Sequence, residues 1–218
     1  MAKRAALVRV AAEEEPDRSL EAGRRGAELM EPYAVAVTVE GVAPMLFHRA
    51  DADEMTAKGA AAKNSRTKKT DNTESYLYRD RKSGEIGVPG MNIKAALAHS
   101  ARSSSDPRSP RKSARELVIA GIFVTPPLVS LGLEEPDYID RRTVLIQRNR
   151  IVRERPAVGE GWKLKFQINV IEAQLISEGF LRDIADRAGS LVGLCDFRPE
   201  FGRFRIMSWQ RMNGEARG

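Results

Sequence analysis

Alternating apolar and polar residues are the clearest pattern in this chain, and they predict its main β-strands. From Trp162 to Val170 every second residue is apolar, while Lys, Gln and Asn fill the positions between. Tyr33 to Val39 shows the same two-residue period. Because the side chains of a strand alternate between its faces, both segments are predicted to bury one face. Shorter strands are predicted at Ile86–Val88, Leu117–Val124, Thr143–Val152 and Phe204–Trp209.

Connections and helices then predict the fold class. The segment Pro156–Gly161 is predicted to join the 143–152 and 162–170 strands as a β-hairpin. Ser177 is predicted to cap a helix that ends at Gly189, and Asn92 to cap an earlier helix. Strand, helix, strands, helix and strand in this order predict an α+β protein with a ferredoxin-like, RRM-type βαββαβ core. The open face of such a sheet is a common platform for single-stranded nucleic acid.

Polar segments predict how the chain is divided. Residues 1–31 have no clean apolar face and are expected to be a flexible N-terminal extension. Residues 32–211 are predicted to form a single domain, followed by a tail at 212–218. A long, basic insertion is expected after the first strand, over residues 51–84, with a helical part at Asp53–Ala62. Long loops of this kind are usually functional or disordered.

Positive charge is concentrated in three segments. The whole chain carries a net charge of +6, whereas Lys58–Lys82, residues 102–115 and Arg141–Arg155 carry +5, +4 and +5 respectively. The remainder is therefore acidic. Guanidinium groups bind phosphate oxygens in a bidentate way, and each neutralised phosphate releases condensed counterions. The segregation predicts a nucleic-acid partner, and solvated surface loops are the alternative interpretation.

Residue types that carry other chemistry are scarce. Cys195 is the single cysteine, which excludes an intrachain disulfide and a cysteine-rich metal framework. No apolar stretch approaches the roughly 20 residues that cross a bilayer, so a cytoplasmic protein without a membrane partner is expected. No Walker loop, nucleophile elbow or dinucleotide fingerprint occurs, and neither a cofactor nor a metal ion is predicted.

His48 is the one catalytic candidate. It follows a predicted strand, where it could serve as a general acid or base, or instead as a structural residue or phosphate contact. Asp51 and Asp53 lie nearby but form only a weak metal pattern. An enzyme is therefore the less favoured expectation.

A glycine-punctuated turn precedes the last strand, with the sequence GLCDFRPEFGRFRI over residues 193–206. Gly193 and Gly202 would let backbone N–H groups approach an anion, and Arg198 and Arg203 would supply charge. A plain turn between helix and strand explains the same residues. Four aromatic side chains are candidates for base stacking, with core packing as the alternative: Tyr76, Tyr78, Phe197 and Phe201.

This turn resembles the glycine-rich loop of the RAMP superfamily of CRISPR-associated RNA-binding proteins. VPGMNIKAALAHSAR, residues 88–102, is similar to the strand, Pro-Gly and basic helix element of Cas7-like backbone subunits. The chain also resembles uncharacterised bacteriophage and prophage proteins of this length, in VEGVAPMLFHR, VPGMNIKAAL, RERPAVGEGW and GLCDFRPEFGRF. The resemblance extends from about Val37 to Trp209.

The resemblance implies a RAMP-type protein that coats single-stranded RNA or DNA without sequence preference. It would act as a homo-oligomer or filament, or beside other RAMP-type subunits, with residues 51–84 as a thumb-like insertion. The alternatives are a metal-independent RAMP-type endoribonuclease and a structural phage component with no nucleic-acid role. The residues expected to contact nucleic acid are Arg49, Lys68, Lys69, Asn92, Lys94, Arg102, Arg148, Arg150, Arg153, Arg155, Arg198 and Arg203.

Overall fold

A four-stranded antiparallel sheet lies at the centre of the computed structural model, which describes residues 31–50, 52–61, 72–146 and 149–212. The strands are β1 (Tyr33–Gly41), β2 (Met45–Leu46), β3 (Ile86–Pro89), β4 (Ser105–Asp106), β5 (Ser109–Ser113), β6 (Ile122–Thr125), β7 (Leu128–Leu133), β8 (Tyr138–Ile146), β9 (Asn149–Val158), β10 (Lys163–Val170) and β11 (Phe204–Met212). The α-helices are α1 (Ala52–Ala60), α2 (Gly90–Ser100), α3 (Arg115–Gly121) and α4 (Glu178–Arg187). Short 3-10 turns cover Glu74–Tyr76 and Ala101–Ser103, and a π-helical turn covers Ala188–Val192.

The central sheet has the strand order β11–β1–β10–β6. Val37 lies opposite Phe166 and Val39 opposite Leu164, so the apolar positions of β1 and β10 share one face. That face is buried and belongs to one core cluster with residues of α2 and α4. The alternating patterns of both segments therefore predicted their structure correctly, and the fold is α+β.

The beginnings of the two long helices differ in how well the sequence predicted them. Ser177 caps α4, because its Oγ accepts a hydrogen bond from the Phe180 N–H over 3.3 Å. Asn92 is not a cap, since α2 already begins at Gly90. A Cβ at Gly90 would lie 3.0 Å from the Pro126 carbonyl oxygen, so this close approach favours glycine at the first position.

Two connections differ from the sequence prediction. The segment Leu117–Val124 is not one strand: α3 occupies it up to Gly121, and only then does β6 begin. An unbroken apolar run has no period that separates a buried helix from a strand. At the end of α3, Gly121 packs closely against Ile176: a Cβ at Gly121 would lie 2.6 Å from the Ile176 Cδ1, so the position favours glycine.

The predicted hairpin between residues 143–152 and 162–170 is also wrong. Thr143 and Val152 lie opposite each other on separate strands, β8 and β9, while β10 pairs in the central sheet. No Gly or Pro lies between Thr143 and Val152, so the sequence lacks the strongest turn signals there. The far edge of β9 pairs with β2, where Met45 faces Val158.

Several predictions fall outside the described residues. They concern residues 1–30, the centre of the predicted insertion at 62–71, and the tail at 213–218. Among the described residues, no helix combines the length and apolar character that crossing a membrane requires.

Candidate nucleic-acid interface

One face of α2 forms a wall of a groove with a volume of about 630 Å³. Met91, Lys94 and Ala98 are three and four residues apart, which places them on the same face of α2. Arg102 follows in the 3-10 turn Ala101–Ser103 and lines the same groove. The opposite face of α2 packs into the core through residues such as Ile93 and Leu97. The core contacts of α2 thus leave Lys94 on the side of the helix that faces the groove. We call this cavity the α2 groove, and its lining residues are Gly90, Met91, Lys94, Ala95, Ala98, His99, Arg102, Arg115, Ile119, Phe123, Val124 and Arg198.

The other walls of the α2 groove come from distant parts of the chain. The helix α3 contributes Arg115 and Ile119, which are four residues apart and so share a face. Phe123 comes from β6, and Arg198 comes from the turn before β11. A cavity with cationic and apolar walls concentrates positive potential, because low-dielectric walls focus the field.

The Lys and Arg side chains that line the α2 groove have no acidic side chain among them. Its lining contains four Lys or Arg residues and no carboxylate. Within the described part of the chain, Lys94, Arg102 and Arg198 form no ion pair, whereas Arg115 is paired with Glu116. Cations that lack a carboxylate partner keep their donors available for a phosphate.

A second groove, of about 550 Å³, adjoins the first. The two share His99 and Arg198, so Arg198 stands between them. We call it the Phe197 groove, and it is lined by His99, Leu191, Val192, Cys195, Asp196, Phe197, Arg198 and Pro199.

The turn that carries Arg198 is closed by its two glycines. Gly193 and Gly202 have φ values of +79° and +73°. The Leu194 N–H donates to the Gly202 carbonyl over 2.9 Å, and a Cβ at Gly202 would overlap the Leu194 backbone. The glycines therefore let the chain approach itself, which favours the plain-turn interpretation over direct anion contact.

Arg155 lies beneath this turn and is buried, with 7% of its surface exposed. Its Nε donates to Asp196 Oδ2 over 2.5 Å, and His48 Nδ1 lies 3.5 Å from the same oxygen. Burial alone would raise the pKa of Asp196, but hydrogen bonds from His48, the Phe197 N–H and Arg155 outweigh it and hold the pKa below its ordinary range. Arg155 was expected to contact nucleic acid, yet its guanidinium faces a protein carboxylate.

The candidate aromatic side chains have different surroundings. Tyr76 and Phe201 are buried, whereas Phe197 is 39% exposed. The Arg142 Cζ lies 4.5 Å from the Phe201 ring centre and 5.1 Å from that of Phe197. Tyr78 is half-buried, with the Arg49 Cζ 5.9 Å from its ring centre. Of the four, Phe197 presents the most surface to solvent.

The structure brings together only part of the predicted set. Arg203 is exposed, and its Nε donates to the Pro199 carbonyl over 2.7 Å, within the turn. The residues of the set that line a groove are Lys94, Arg102 and Arg198. Those that line neither groove are Arg49, Asn92, Arg150, Arg153, Arg155 and Arg203. Those outside the described residues are Lys68, Lys69 and Arg148.

Sequence reasoning missed several lining residues. Met91 and His99 lie on the same helix as Lys94, and the helical period would have found them. Arg115 and Ile119 were missed because the segment that follows Arg115 was predicted to be a strand.

The catalytic candidate His48 lines neither the α2 groove nor the Phe197 groove. Its ring packs against Tyr76 with the centroids 4.4 Å apart, and it is partly exposed. Of its two acidic neighbours in the sequence, Asp51 lies outside the described residues. In the described ranges, no group of three or more His, Cys, Asp and Glu side chains is arranged to hold a metal ion.

Comparison with known proteins finds likeness among solved structures, where 67 chains match. No protein-family model and no curated protein matches the chain. A chain in the cryo-EM structure of the Type III-B Cmr-beta bound to cognate target RNA matches with a TM-score of 0.53 and 9% sequence identity, over 89% of this chain. This chain spans 66% of that one, just under two thirds of its length. At this identity the likeness establishes a shared fold.

Proposed function

We propose that the chain binds the phosphate backbone of single-stranded nucleic acid in the α2 groove. The proposal rests on one observation: the α2 groove is lined by four cations and apolar side chains, with no carboxylate among them. Guanidinium and ammonium groups neutralise phosphates whatever the base sequence, so the binding is independent of sequence.

The topology supports a ferredoxin-like, RAMP-type core as part of this proposal. Numbered along the chain, the strands of the central sheet are arranged 4-1-3-2, with α1, α2 and α3 between the first two and α4 between the last two. This connectivity is that of the split βαβ pattern. The matching Cmr-beta structure is bound to target RNA, which favours RNA as the ligand. Assembly with other RAMP-type subunits, or with copies of this chain, belongs to the same proposal.

The α2 groove is a better candidate than the polar face of the central sheet. On that face Glu40 pairs with Arg205 over 2.6 Å and lies 3.8 Å from Lys163. Hydrogen bonding to Arg205 lowers the pKa of Glu40, so the carboxylate stays charged and offsets these cations. A phosphate would have to displace it there, whereas no carboxylate lines the α2 groove and, among the described residues, Arg115 alone of its four cations is paired, with Glu116 outside the lining.

The test is equilibrium binding of labelled single-stranded RNA and DNA of one sequence across a salt series. Lys94→Ala/Arg102→Ala removes two cations from the α2 groove. Lys163→Ala/Lys165→Ala is the matched control, since it removes the same charge from exposed positions of β10. Each lost phosphate contact on a single strand lowers the slope of log K against log salt by about 0.7. We therefore expect the groove variant to lose about 1.4 in slope and the control to bind as the wild type does.

Two results would contradict the proposal. One is the absence of binding to either strand at low salt. The other is a loss of affinity confined to the Lys163→Ala/Lys165→Ala control, which would place the strand on the open face of the sheet. Equal affinities for RNA and DNA would show that only the phosphates are recognised.

A further inference from the structure

Phe197 combines exposure with an unfavourable backbone conformation. Its φ is +56°, a left-handed value in which a bulky side chain conflicts with the backbone. Phe197 is 39% exposed, while its neighbour Phe201, 5.9 Å away between ring centres, is buried. Strained residues persist only where the surrounding structure holds them in place, and they are frequent at binding sites. Core packing alone does not explain a strained aromatic residue at the surface.

Two arginines hold the ring from the side of the β8–β9 pair. The guanidinium carbons of Arg142 and Arg155 lie 5.1 Å and 5.7 Å from the ring centre. Asp140 fixes Arg142 through two hydrogen bonds of 2.5 Å, and Asp196 fixes Arg155. Because both cations are anchored, the ring has little freedom to move. A rigid ring loses little entropy when a ligand packs against it.

The ring also lies beside the proposed phosphate path. Phe197 lines the Phe197 groove, and its sequence neighbour Arg198 lines both this groove and the α2 groove. Arg198 is exposed and forms no ion pair with any described residue. An aromatic face and a cation on adjacent residues match the alternation of base and phosphate along a single strand.

We propose that Phe197 stacks against an unpaired base of the strand bound in the α2 groove, while Arg198 contacts the neighbouring phosphate. This inference rests on the proposed function and adds base contact to it. Every base has an aromatic face, so stacking leaves the binding independent of sequence. The bases of a duplex are already stacked on each other, so the site selects single strands over duplexes.

The experiment compares an oligonucleotide with an abasic sugar-phosphate strand of the same length. Stacking on one aromatic residue strengthens binding by about tenfold, so the wild type is expected to prefer the base-bearing strand by that factor. Phe197→Asn removes the ring, and Asn tolerates a left-handed backbone. We expect this variant to bind both strands alike, with an unchanged salt slope, whereas Phe197→Tyr keeps the preference.

The outcomes separate this inference from the proposed function. If the wild type binds neither strand at low salt, both are wrong. If it binds the two strands with equal affinity, or if Phe197→Asn weakens both equally, phosphate binding stands and stacking is wrong. Fluorescence of a 2-aminopurine base provides a readout without any variant: quenching in the wild-type complex supports stacking, and unchanged fluorescence at every position of the probe contradicts it.

Discussion

Arg155 Nε donates a hydrogen bond to Asp196 Oδ2 over 2.5 Å, and this ion pair fastens the turn that carries Phe197 and Arg198 onto β9. Asp196 is also tied to β2, since its N–H donates to the Leu46 carbonyl over 2.9 Å. The side chain and the backbone of Asp196 thus both help to position the turn that carries the two proposed binding residues.

Asp196→Asn is expected to destabilise the protein at neutral pH. Removing one member of a fully buried pair costs about 3–5 kcal/mol, and because 32% of the Asp196 side chain is exposed we expect about 2 kcal/mol. Chemical denaturation measures the difference. An Asn variant as stable as the wild type at pH 7 would show that the pair contributes nothing.

The same pair predicts a direction for the pH dependence. The pKa of Asp196 is lower in the folded protein than its ordinary value of 3.8, so its contribution is fully present above that pH. The contribution is lost as the pH falls from there through the folded pKa. The stability difference between wild type and Asp196→Asn is expected to shrink below about pH 3.8. A difference that stays constant down to acid unfolding would contradict this.

Gly202→Ala is expected to disrupt the turn. Its φ of +73° disfavours a side chain, and an added Cβ would overlap the Leu194 backbone. Gly84→Ala is the matched control, because Gly84 has a similar φ of +77° but no atom within 4 Å of an added Cβ. Conformational strain alone costs about 1 kcal/mol, so we expect that loss for Gly84→Ala and at least about 2 kcal/mol for Gly202→Ala. Equal losses in urea titrations would mean that the close contact is unimportant.

Arg198→Ala is expected to weaken binding to every single-stranded sequence alike, and to lower the salt slope by about 0.7. Arg205→Ala is the control: Arg205 is also exposed, but Glu40 already pairs with it. Affinities for several unrelated sequences provide the measurement. A loss that depends on sequence would indicate base-edge readout by Arg198.

RNA is expected to remain intact when incubated with the wild type and with His48→Ala. His48 contacts Tyr76 and Asp196 and lines neither groove, so no bound phosphodiester is placed beside it. Gel analysis of end-labelled RNA in the presence of a chelator tests this. Cleavage by the wild type that disappears in His48→Ala would instead support the endoribonuclease interpretation.

The sequence alone determined the features that depend on a local period. The alternation around Val37 and Phe166 predicted two strands with a buried face, and Ser177 marked the start of α4. The cationic character of Lys94, Arg102 and Arg198 was equally visible. The strands and the helix start depend only on residues a few positions apart. Over that distance the direction of a side chain follows the regular repeat of the strand or helix.

Only the tertiary structure decided which residues meet and which are buried. The apolar run after Arg115 fits a helix or a strand equally well, and in the folded chain it forms α3, with Leu117 and Val118 in the core. The arginines of residues 141–155 share one pattern, yet Arg155 turns inward to a carboxylate that lies 41 positions along the chain. The α2 groove joins segments that are far apart in sequence, because pairing and burial are set by long-range contacts that no local period encodes.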